Sequence, residues 1–436
     1  MVANLDSISL AERSNKWFRC GWSLMQLFKI MLSCCVLLAV EASNGEGAWK
    51  QNKFIITFWS PPPVTTKALS AAIKEDFNLT GAYEVGLGAV RDHGMKAMLQ
   101  DYLLTPSTLD DPGRRAQLDA LINRVKNHPS LESYYLADEP NASAFPGLGK
   151  LVAYLRERDP NHLAYINLYP VYAANKQLGI NGTPEKAYQE YLRRFIEEVK
   201  PSLLSYDHYH FFKTGDGDQY FLNLELIRQA ALDHGLPFLN IIQASAFEKT
   251  WRLVTPNELR WLVYTTLAYG GRGISYFLYW GPPAYGGLYQ GGVRTPLVDT
   301  VTVLNKEISA QSMPLMELNN LGTYHTAPLP SGTKAVPLSS PVRFAGAGNF
   351  ILGLFGNNSA ITTFMVVNRN YKMQTTAQLI LKPEVRGIEE FDRTSKQWKA
   401  YQSLNAERGI SVTLSPGDGR LFRFVPYMPN IPNPMP

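Results

Sequence analysis

Residues 133–168, SYYLADEPNASAFPGLGKLVAYLRERDPNHLAYINL, contain the pattern that decides the fold. Two short runs suited to buried β-strands, 133–137 and 164–168, enclose a segment with helical periodicity at 148–158. A strand, a helix and a second strand within some 36 residues are the signature of a parallel βαβ unit. The first of these strands ends in two adjacent carboxylates, Asp138 and Glu139, followed by Pro140.

The same alternation extends in both directions, from Lys53 to about Ala310. The predicted strands are 54–59, 77–80, 96–102, 133–137, 164–168, 203–206, 238–243 and 274–280, and helices are predicted at 114–127, 148–158, 186–200, 220–234 and 257–269. One helix begins Thr255-Pro256-Asn257-Glu258, in which Thr caps, Pro occupies the first turn and Glu closes a capping box. Eight strand–helix units favour an α/β fold of the closed (β/α)8 TIM-barrel type. No GxGxxG or GxxxxGK[ST] follows the first strand, which argues against a nucleotide-binding sheet.

Beyond Gln311 the pattern changes to a stretch rich in Pro, Gly and Ser, and then to short alternating runs. Antiparallel strands are predicted at 350–355, 361–368, 377–382, 387–392, 397–402, 410–414 and 421–425. We therefore expect a leader and signal peptide at 1–42, the catalytic barrel at 50–312, a linker at 313–340, a small C-terminal antiparallel β-sandwich at 341–426 and a Pro-rich tail at 427–436.

The N-terminal region predicts export. Cys20, Cys34 and Cys35 are the chain's three cysteines, and the last two lie within an apolar run, 30–40, that is too short for a membrane span. Small residues near Ala42 suit signal cleavage. We expect a secreted or periplasmic protein with no stable membrane insertion after cleavage. An outer-surface lipoprotein anchored at Cys34 is the weaker alternative, because the apolar run continues past that residue.

The amino-acid composition of the chain limits the classes of partner that we expect it to bind. The chain has 436 residues, of which 42 are basic and 37 acidic, and no basic run suggests nucleic acid as a partner. Aromatic residues make up 12% of the chain, and exposed aromatic rings can stack on sugar faces. A carbohydrate substrate is therefore the expected partner.

Catalytic groups of a (β/α)8 barrel come from the carboxyl ends of its strands. Glu139 follows the fourth predicted strand, and Pro140 ends that strand, which holds Glu139 at the barrel rim. The alternative is a solvated Glu beside a capping Asp. The strand-end position favours Glu139 as a catalytic proton donor.

The sixth strand ends in Ser205-Tyr206-Asp207-His208-Tyr209-His210. Strand alternation places Tyr206 and His208 on one face and Asp207 and Tyr209 on the other. Asp207 is therefore the second catalytic candidate, although it could instead orient a neighbouring side chain. His208 and His210 have a spacing that suits a metal, but no further ligand motif accompanies them. We expect no metal and no cofactor.

Other strand ends carry hydrogen-bonding or stacking side chains suited to a polyhydroxylated ring. Trp59 and Trp280 are candidates for apolar walls, with a buried core position as the alternative for each. The full set of expected substrate-binding residues is Trp59, Asp101, Asp138, Asn167, Tyr206, His208, Gln243, Tyr279 and Trp280.

The segment Tyr134-Tyr135-Leu136-Ala137-Asp138-Glu139-Pro140 resembles clan A (β/α)8 glycoside hydrolases, especially the family 42 β-galactosidase-like group. The resemblance also covers the strand order and the closing strand at 415–424, and it implies that Glu139 is the acid/base. Those families place a nucleophilic Glu at the end of strand seven, where this chain has Gln243. Asp207, the loop residue Glu248, or a substrate-assisted route using Asp138 remain open for that role.

Three functions follow from these residues. The leading hypothesis is an exported retaining glycosidase with Glu139 as acid/base and Asp207 as nucleophile, for which the carboxyl groups should lie about 5 Å apart. A carbohydrate-binding barrel without catalysis is the second, supported by the missing acid at strand seven. A metal-dependent hydrolase using Asp207, His208 and His210 is the third.

Overall fold

The computed structural model describes residues 49–247, 249–401, 404 and 409–426. Eight parallel strands form one sheet in the order β1-β10-β9-β6-β5-β4-β3-β2. In chain order they are β1 Ile55–Phe58, β2 Leu79–Ala82, β3 Lys96–Leu99, β4 Leu131–Asp138, β5 Leu163–Leu168, β6 Leu204–His208, β9 Phe238–Gln243 and β10 Gly273–Phe277. Each of the eight predicted strands overlaps one of these.

The two end strands of this sheet meet and close it. The Asn78 N–H donates to the Ile56 carbonyl at 3.0 Å, and the Thr57 hydroxyl donates to the Leu79 carbonyl at 2.8 Å. These bonds join β1 to the chain entering β2. The eight-stranded sheet with its helices is therefore a TIM barrel, as predicted.

Helices cover the outside of the barrel and bury its outer face. They are α1 Thr66–Lys74, α2 Leu87–Asp92, α3 Pro112–Val125, α4 Phe145–Arg158, the short α5 Asn175–Leu178, α6 Pro184–Val199, α7 Tyr220–Asp233, α8 Pro256–Ala268 and α9 Leu297–Met316. The predicted capping box begins α8: the Thr255 hydroxyl accepts from the Glu258 N–H at 3.3 Å, and the Glu258 carboxylate accepts from the Thr255 N–H at 2.8 Å. Among the described helices, none combines the length and apolar character needed to cross a membrane.

The C-terminal part consists of antiparallel strands in two sheets. Their bounds are β14 Asn319–His325, β15 Val342–Phe344, β16 Phe350–Asn357, β17 Ala360–Asn368, β18 Thr375–Leu381, β19 Val385–Asp392, β20 Gln397–Ala400, β21 Gly409–Leu414 and β22 Gly419–Pro426. Six of them form a sheet in the order β14-β16-β17-β22-β19-β20, and the other three form the sheet β15-β18-β21. One buried apolar cluster includes Leu352 and Phe364 from the first sheet and Leu379 and Val412 from the second.

The stretch 313–340, expected to be a linker, has regular structure at its start. It contains the end of α9 and the whole of β14, which pairs with β16. The polar sequence of β14 conceals a strand because two of its buried side chains bond the barrel: Asn320 and Thr323 both donate to the Ala268 carbonyl, at 3.0 and 3.1 Å. The expected leader, the tail at 427–436 and Glu248 lie outside the described residues.

Short strands lie in two loops at the carboxyl end of the barrel. They are β7 Phe211–Phe212 with β8 Gly215–Asp216, and β11 Trp280–Gly281, β12 Tyr289–Gln290 and β13 Val293–Arg294. These loops follow β6 and β10, so they border the strand ends from which a barrel site is built.

Candidate active site

Three neighbouring strands bring the predicted carboxylates together. Asp138 at the end of β4 is in register with Asn167 on β5, and Asn167 is in register with Ser205 on β6. The Glu139 N–H continues this ladder by donating to the Asn167 carbonyl at 2.9 Å. Asp207 lies two residues beyond Ser205, so the carboxyl groups of β4 and β6 face each other across β5.

The Asp-Glu-Pro sequence gives Glu139 an unusual backbone. Its φ is 45°, in the left-handed region that residues with a Cβ seldom adopt. Pro140 cannot continue the strand's hydrogen bonds, and its carbonyl accepts from the Tyr191 hydroxyl of α6 at 2.8 Å. Surrounding contacts thus hold a backbone conformation that costs free energy, which is a feature of functional sites.

Asp207 points into the barrel together with Tyr209. Asp207 is 5% exposed, and the Tyr209 hydroxyl donates to its carboxylate. The Tyr209 ring packs against Trp251 and Phe277, with ring centroids 4.3 and 5.0 Å away. One Asp207 oxygen, Oδ1, has no hydrogen-bond partner among the described residues. Asp207 therefore presents an acceptor oxygen inside an otherwise aromatic wall.

A chain of hydrogen bonds orients the carboxylates. The Asn167 amide donates to Asp138 Oδ1 at 3.0 Å and also bonds Asp207. Ser205 Oγ donates to the Asn167 oxygen at 3.1 Å and contacts the Tyr165 hydroxyl at 2.7 Å. Because its oxygen accepts from Ser205, the orientation of the Asn167 amide is fixed, and its N–H groups face the carboxylates.

Three neighbouring carboxyl groups, Asp138, Glu139 and Asp207, have pKa values raised above their ordinary ones. Burial raises the pKa of Glu139, and the charges of Asp207 and Asp138 raise it further. Burial and then the charge of Asp138 raise the pKa of Asp207, while the bond from Tyr209 lowers it. Neighbouring negative charges disfavour the ionisation of Glu139, whereas the bond from Tyr209 favours the ionised form of Asp207, so Glu139 is the group better suited to keep its proton. This is the division of roles that an acid and a nucleophile require.

A cleft of about 380 Å³ opens across the ends of β1, β2, β3 and β10. Neither Glu139 nor Asp207 lines it, and two of its lining residues connect it to their surroundings. Its lining includes Tyr135, whose pKa is raised by burial and then by the charge of Asp138, and Phe277, which packs on Tyr209. Trp59 and Trp280, the two predicted walls, both line it. The lining residues are aromatic, aliphatic or neutral polar, and none of those described is charged. Such a surface suits a neutral ring with apolar faces.

Tyr206 and His208 do not reach this site, contrary to the expectation. They occupy the opposite face of β6 and are 0% and 1% exposed. His208 Nδ1 contacts the Asn223 amide oxygen of α7 at 2.8 Å, and burial lowers the His208 pKa to about 3. The predicted alternation holds, but the outer face of β6 packs on helices, so both side chains belong to the layer between barrel and helices.

Asp207 and His208 point to opposite sides of β6, so they cannot share a metal with His210. In the part of the chain that the structure describes, no group of three or more His, Cys, Asp or Glu side chains is arranged to hold a metal ion. The metal-dependent hydrolase therefore has no assembled ligand set among these residues.

Gln243 is the last residue of the seventh barrel strand, β9, and its side chain stabilises two loops. Its amide oxygen accepts from the Phe211 N–H at 2.9 Å, and its amide nitrogen donates to the carbonyls of Phe211, Arg252 and Ser245 at 3.1, 2.8 and 3.4 Å. The side chain is 0% exposed. Gln243 thus ties together the loops after β6 and β9 and does not face the cleft.

Replacing Gln243 with Leu is expected to lower the free energy of unfolding by about 2–4 kcal/mol, because buried backbone groups lose their partners. Chemical denaturation of both proteins measures the difference. Gln229→Leu is the control, since Gln229 lies on the surface of α7, donates to the exposed Asp233 and accepts only a long bond of 3.4 Å from Arg228. An unchanged stability for Gln243→Leu would contradict the clamp role.

Two further expected binding residues lie elsewhere. Tyr279 is 1% exposed, stacks on Phe58 with centroids 4.2 Å apart, and donates to Glu75 at 2.8 Å, so it is a core residue. Asp101 accepts from the Leu103 N–H at 2.9 Å and closes a turn after β3. Neither contacts the carboxyl pair in the described structure.

Four residues at the site were not among the predicted set: Tyr135, Tyr165, Tyr209 and Phe277. Tyr209 shares strand parity with Asp207, which is a usable signal because side chains two apart share a face. Tyr135 and Tyr165 look like ordinary strand aromatics in the sequence. Phe277 ends β10 three residues before the Trp280 that sequence analysis favoured.

No protein-family model matches the chain, and no curated protein matches it significantly. Solved structures do align with it. One is α-galactosidase I from Mortierella vinacea, at 10% identity and a TM-score of 0.46, covering 88% of this chain and 98% of that one. A glucosidase from Croceicoccus marinus aligns at 10% identity and a TM-score of 0.44, with the same coverage of 88% and 98%.

A β-galactosidase from the psychrophilic Marinomonas ef1 aligns at 9% identity and a TM-score of 0.42. The alignment covers 59% of each chain, so this protein spans little more than half the length of that relative. The resemblance to glycoside hydrolase family 42 stays a prediction.

Proposed function

We propose that this protein is a retaining glycoside hydrolase that cleaves O-glycosidic bonds of an oligosaccharide or polysaccharide. The observation that carries the proposal is the pair of carboxyl groups, Glu139 and Asp207, at the ends of β4 and β6, where the charge of Asp207 raises the pKa of Glu139. Their neighbours Tyr135 and Phe277 line an uncharged aromatic cleft. Glycosidic cleavage needs an acid for the leaving oxygen and a second carboxylate for the oxocarbenium-like carbon. The two different environments supply one protonated and one ionised carboxyl group.

In this mechanism the Asp207 carboxylate attacks the anomeric carbon while Glu139 protonates the departing oxygen, which gives a glycosyl ester on Asp207. Glu139, now ionised, takes a proton from water, and that water attacks the anomeric carbon and releases Asp207. Asn167 and Tyr209 hold the nucleophile through their hydrogen bonds. The arrangement needs no metal.

The spacing of the two carboxyl groups determines the stereochemistry of the reaction. Retaining enzymes have carboxyl groups about 5–5.5 Å apart, whereas inverting enzymes separate them by about 6.5–9.5 Å to admit water. The charge of Asp207 acts on Glu139 across a single intervening strand, β5, so we expect the pair at the short end of this scale. Retention is therefore the proposed outcome.

Asp138 supports a second route. It is the most exposed of the three carboxylates, and its bond from Asn167 fixes the direction of its oxygen. A 2-acetamido group of the substrate could take the nucleophile's place if Asp138 or Asp207 oriented it. Activity confined to 2-acetamido glycosides would favour this route over direct attack by Asp207.

The test is product release from a panel of aryl glycosides and polysaccharides by the protein starting near Ser43. Turnover by this protein and its loss in Glu139→Gln would support the proposal. Sugar binding without turnover in either protein would favour a non-catalytic carbohydrate-binding barrel instead.

The pH profile tests the proton assignment. Activity requires ionised Asp207, whose pKa is raised, so the acid limb of kcat/KM should lie above the usual Asp value of about 3.9. Tyr209→Phe removes a bond that lowers this pKa, so it should move the acid limb to higher pH. Tyr154→Phe, on the outside of α4, is the control that should leave the limb in place. A downward shift in Tyr209→Phe would be inconsistent with Asp207 as the ionised group.

Two further expectations belong to this proposal. The proposal that the protein is exported rests on the N-terminal apolar run alone, and fractionation of producing cells tests it.

The two C-terminal sheets are proposed to form a β-sandwich that braces the barrel. Their shared apolar cluster and the contacts of Arg393 support this. The Arg393 side chain bonds Glu307 of α9 at 2.8 Å and the Gly419 carbonyl at 2.9 Å.

A further inference from the structure

Two tyrosines with exposed rings follow the carboxyl ends of β2 and β3. Tyr83 is 63% exposed and Tyr102 is 70% exposed, the highest values among the described tyrosines. We infer that Tyr83 and Tyr102 form a stacking platform for further sugar units of a chain whose terminal portion occupies the cleft. This inference rests on the proposed glycosidase function and adds that the substrate is an oligosaccharide extending over β2 and β3.

The backbone places both rings at the same edge of the cleft. β2 and β3 are parallel neighbours with Ala82 opposite Leu99, and the Gln100 N–H donates to the Ala82 carbonyl at 2.9 Å. Gly81 and Gln100 line the cleft. Tyr83 and Tyr102 follow these two lining residues by two positions each, so a chain leaving the cleft over β2 and β3 meets them next.

Local contacts hold the tyrosine backbones while leaving the rings accessible. The Tyr83 carbonyl accepts from the Gly86 N–H at 2.8 Å, which closes a 3-10 turn at Glu84–Gly86. Arg124 fixes that turn by pairing with Glu84 at 2.6 Å. The Tyr102 hydroxyl donates to Gln117 of α3 at 3.4 Å.

Exposed tyrosines alone are ordinary on a protein surface. Here each follows a residue that lines the cleft by two positions, and the cleft itself is walled by Trp59 and Trp280. A ring of this kind presents an apolar face to the C–H groups of a sugar while its hydroxyl remains hydrated. The platform is therefore continuous with the proposed catalytic cleft, and its occupant is the rest of the same carbohydrate chain.

The experiment compares the Tyr83→Ala/Tyr102→Ala double variant with the wild-type protein. Substrates are the aryl monoglycoside that is turned over best and oligosaccharides of the same sugar with two to six units. The variant should keep kcat/KM on the aryl monoglycoside within about twofold and lose about 10-fold on chains of four or more units. Tyr83→Phe/Tyr102→Phe keeps both rings and should behave as wild type. Leu338→Ala, at an exposed site in the C-terminal part, is the control.

Equal kcat/KM of wild type and double variant at every chain length would overturn the inference, as would an equal loss on the aryl monoglycoside and the hexasaccharide. If the wild type hydrolysed nothing, the proposed function would fail separately. Calorimetry with hexasaccharides of β-1,4-linked glucose, mannose and xylose would then decide the platform. Binding that weakens in the Ala variant but not in the Phe variant supports it, and absence of binding to all three overturns it.

Discussion

Glu139→Gln is expected to lower kcat by about 10²–10⁴-fold on glycosides whose leaving group needs protonation. Gln has the size of Glu but cannot deliver a proton. With a 2,4-dinitrophenyl glycoside, whose leaving group departs as a stable anion, formation of the glycosyl ester should be nearly unaffected. The fold should be retained or stabilised, because the substitution removes a carboxyl group that burial and two neighbouring charges disfavour. Steady-state kinetics on a series of aryl leaving groups measures the effect.

Glu132→Gln is the matched control. Glu132 lies near the start of the same strand, β4, and accepts from the Trp49 indole at 3.1 Å, a bond that Gln can also accept. Its kinetics should equal those of the wild type. An equal loss on every leaving group in Glu139→Gln would contradict the acid role and indicate a different task for Glu139.

Asp207→Asn should abolish turnover more completely, by about 10⁴-fold or more, whatever the leaving group. The nucleophilic oxygen is lost, and a better leaving group cannot replace it. Asn retains an oxygen that can accept from Tyr209, so the site should keep its shape. Asp111→Asn is the control: Asp111 caps α3 through bonds from Gly113 and Arg114, and Asn caps equally well.

If Asp207→Asn kept its activity, the nucleophile would be a different group. If this variant kept its activity while Glu248→Gln lost it, the loop carboxylate would be the nucleophile. If Asp138→Asn lost activity and Asp207→Asn did not, substrate assistance would be favoured. These outcomes distinguish the three readings that the sequence left open.

The barrel could be predicted because its signal is repeated and local. Each predicted strand is a short apolar run, and each is followed by a helix. The capping box of Thr255 and Glu258 also marks the N-terminus of helix α8 in the sequence. β14 was missed for a tertiary reason. Its Asn320 and Thr323 are buried polar residues whose partner is a barrel carbonyl, so the strand lacks the apolar alternation that reveals the others.

The sequence could predict those site residues whose place at the end of a barrel strand is enough to suggest a role. Glu139 and Asp207 were proposed because they end strands, and the structure places them at the ends of β4 and β6, with β5 between them. Their catalytic roles stay a prediction. Tyr206 and His208 show the limit of that reasoning. Barrel strands are buried on both faces, so parity separates Asp207 from His208 without saying which of them faces the interior.

Gln243 shows a second limit. A polar side chain at a strand end looks the same in the sequence whether it binds substrate or clamps a loop. Its partners, the backbone groups of Phe211 and Arg252, are up to 32 residues distant, and only the folded chain identifies them.

Covalent trapping tests the central claim most directly. A 2-deoxy-2-fluoro glycoside with a good leaving group slows hydrolysis of the glycosyl ester more than its formation, so the intermediate accumulates. Peptide mapping by mass spectrometry then locates the sugar. The proposed mechanism predicts one fluoroglycosyl group on Asp207. Labelling of Glu248 or another residue, or turnover with inversion and no labelled peptide, would contradict it.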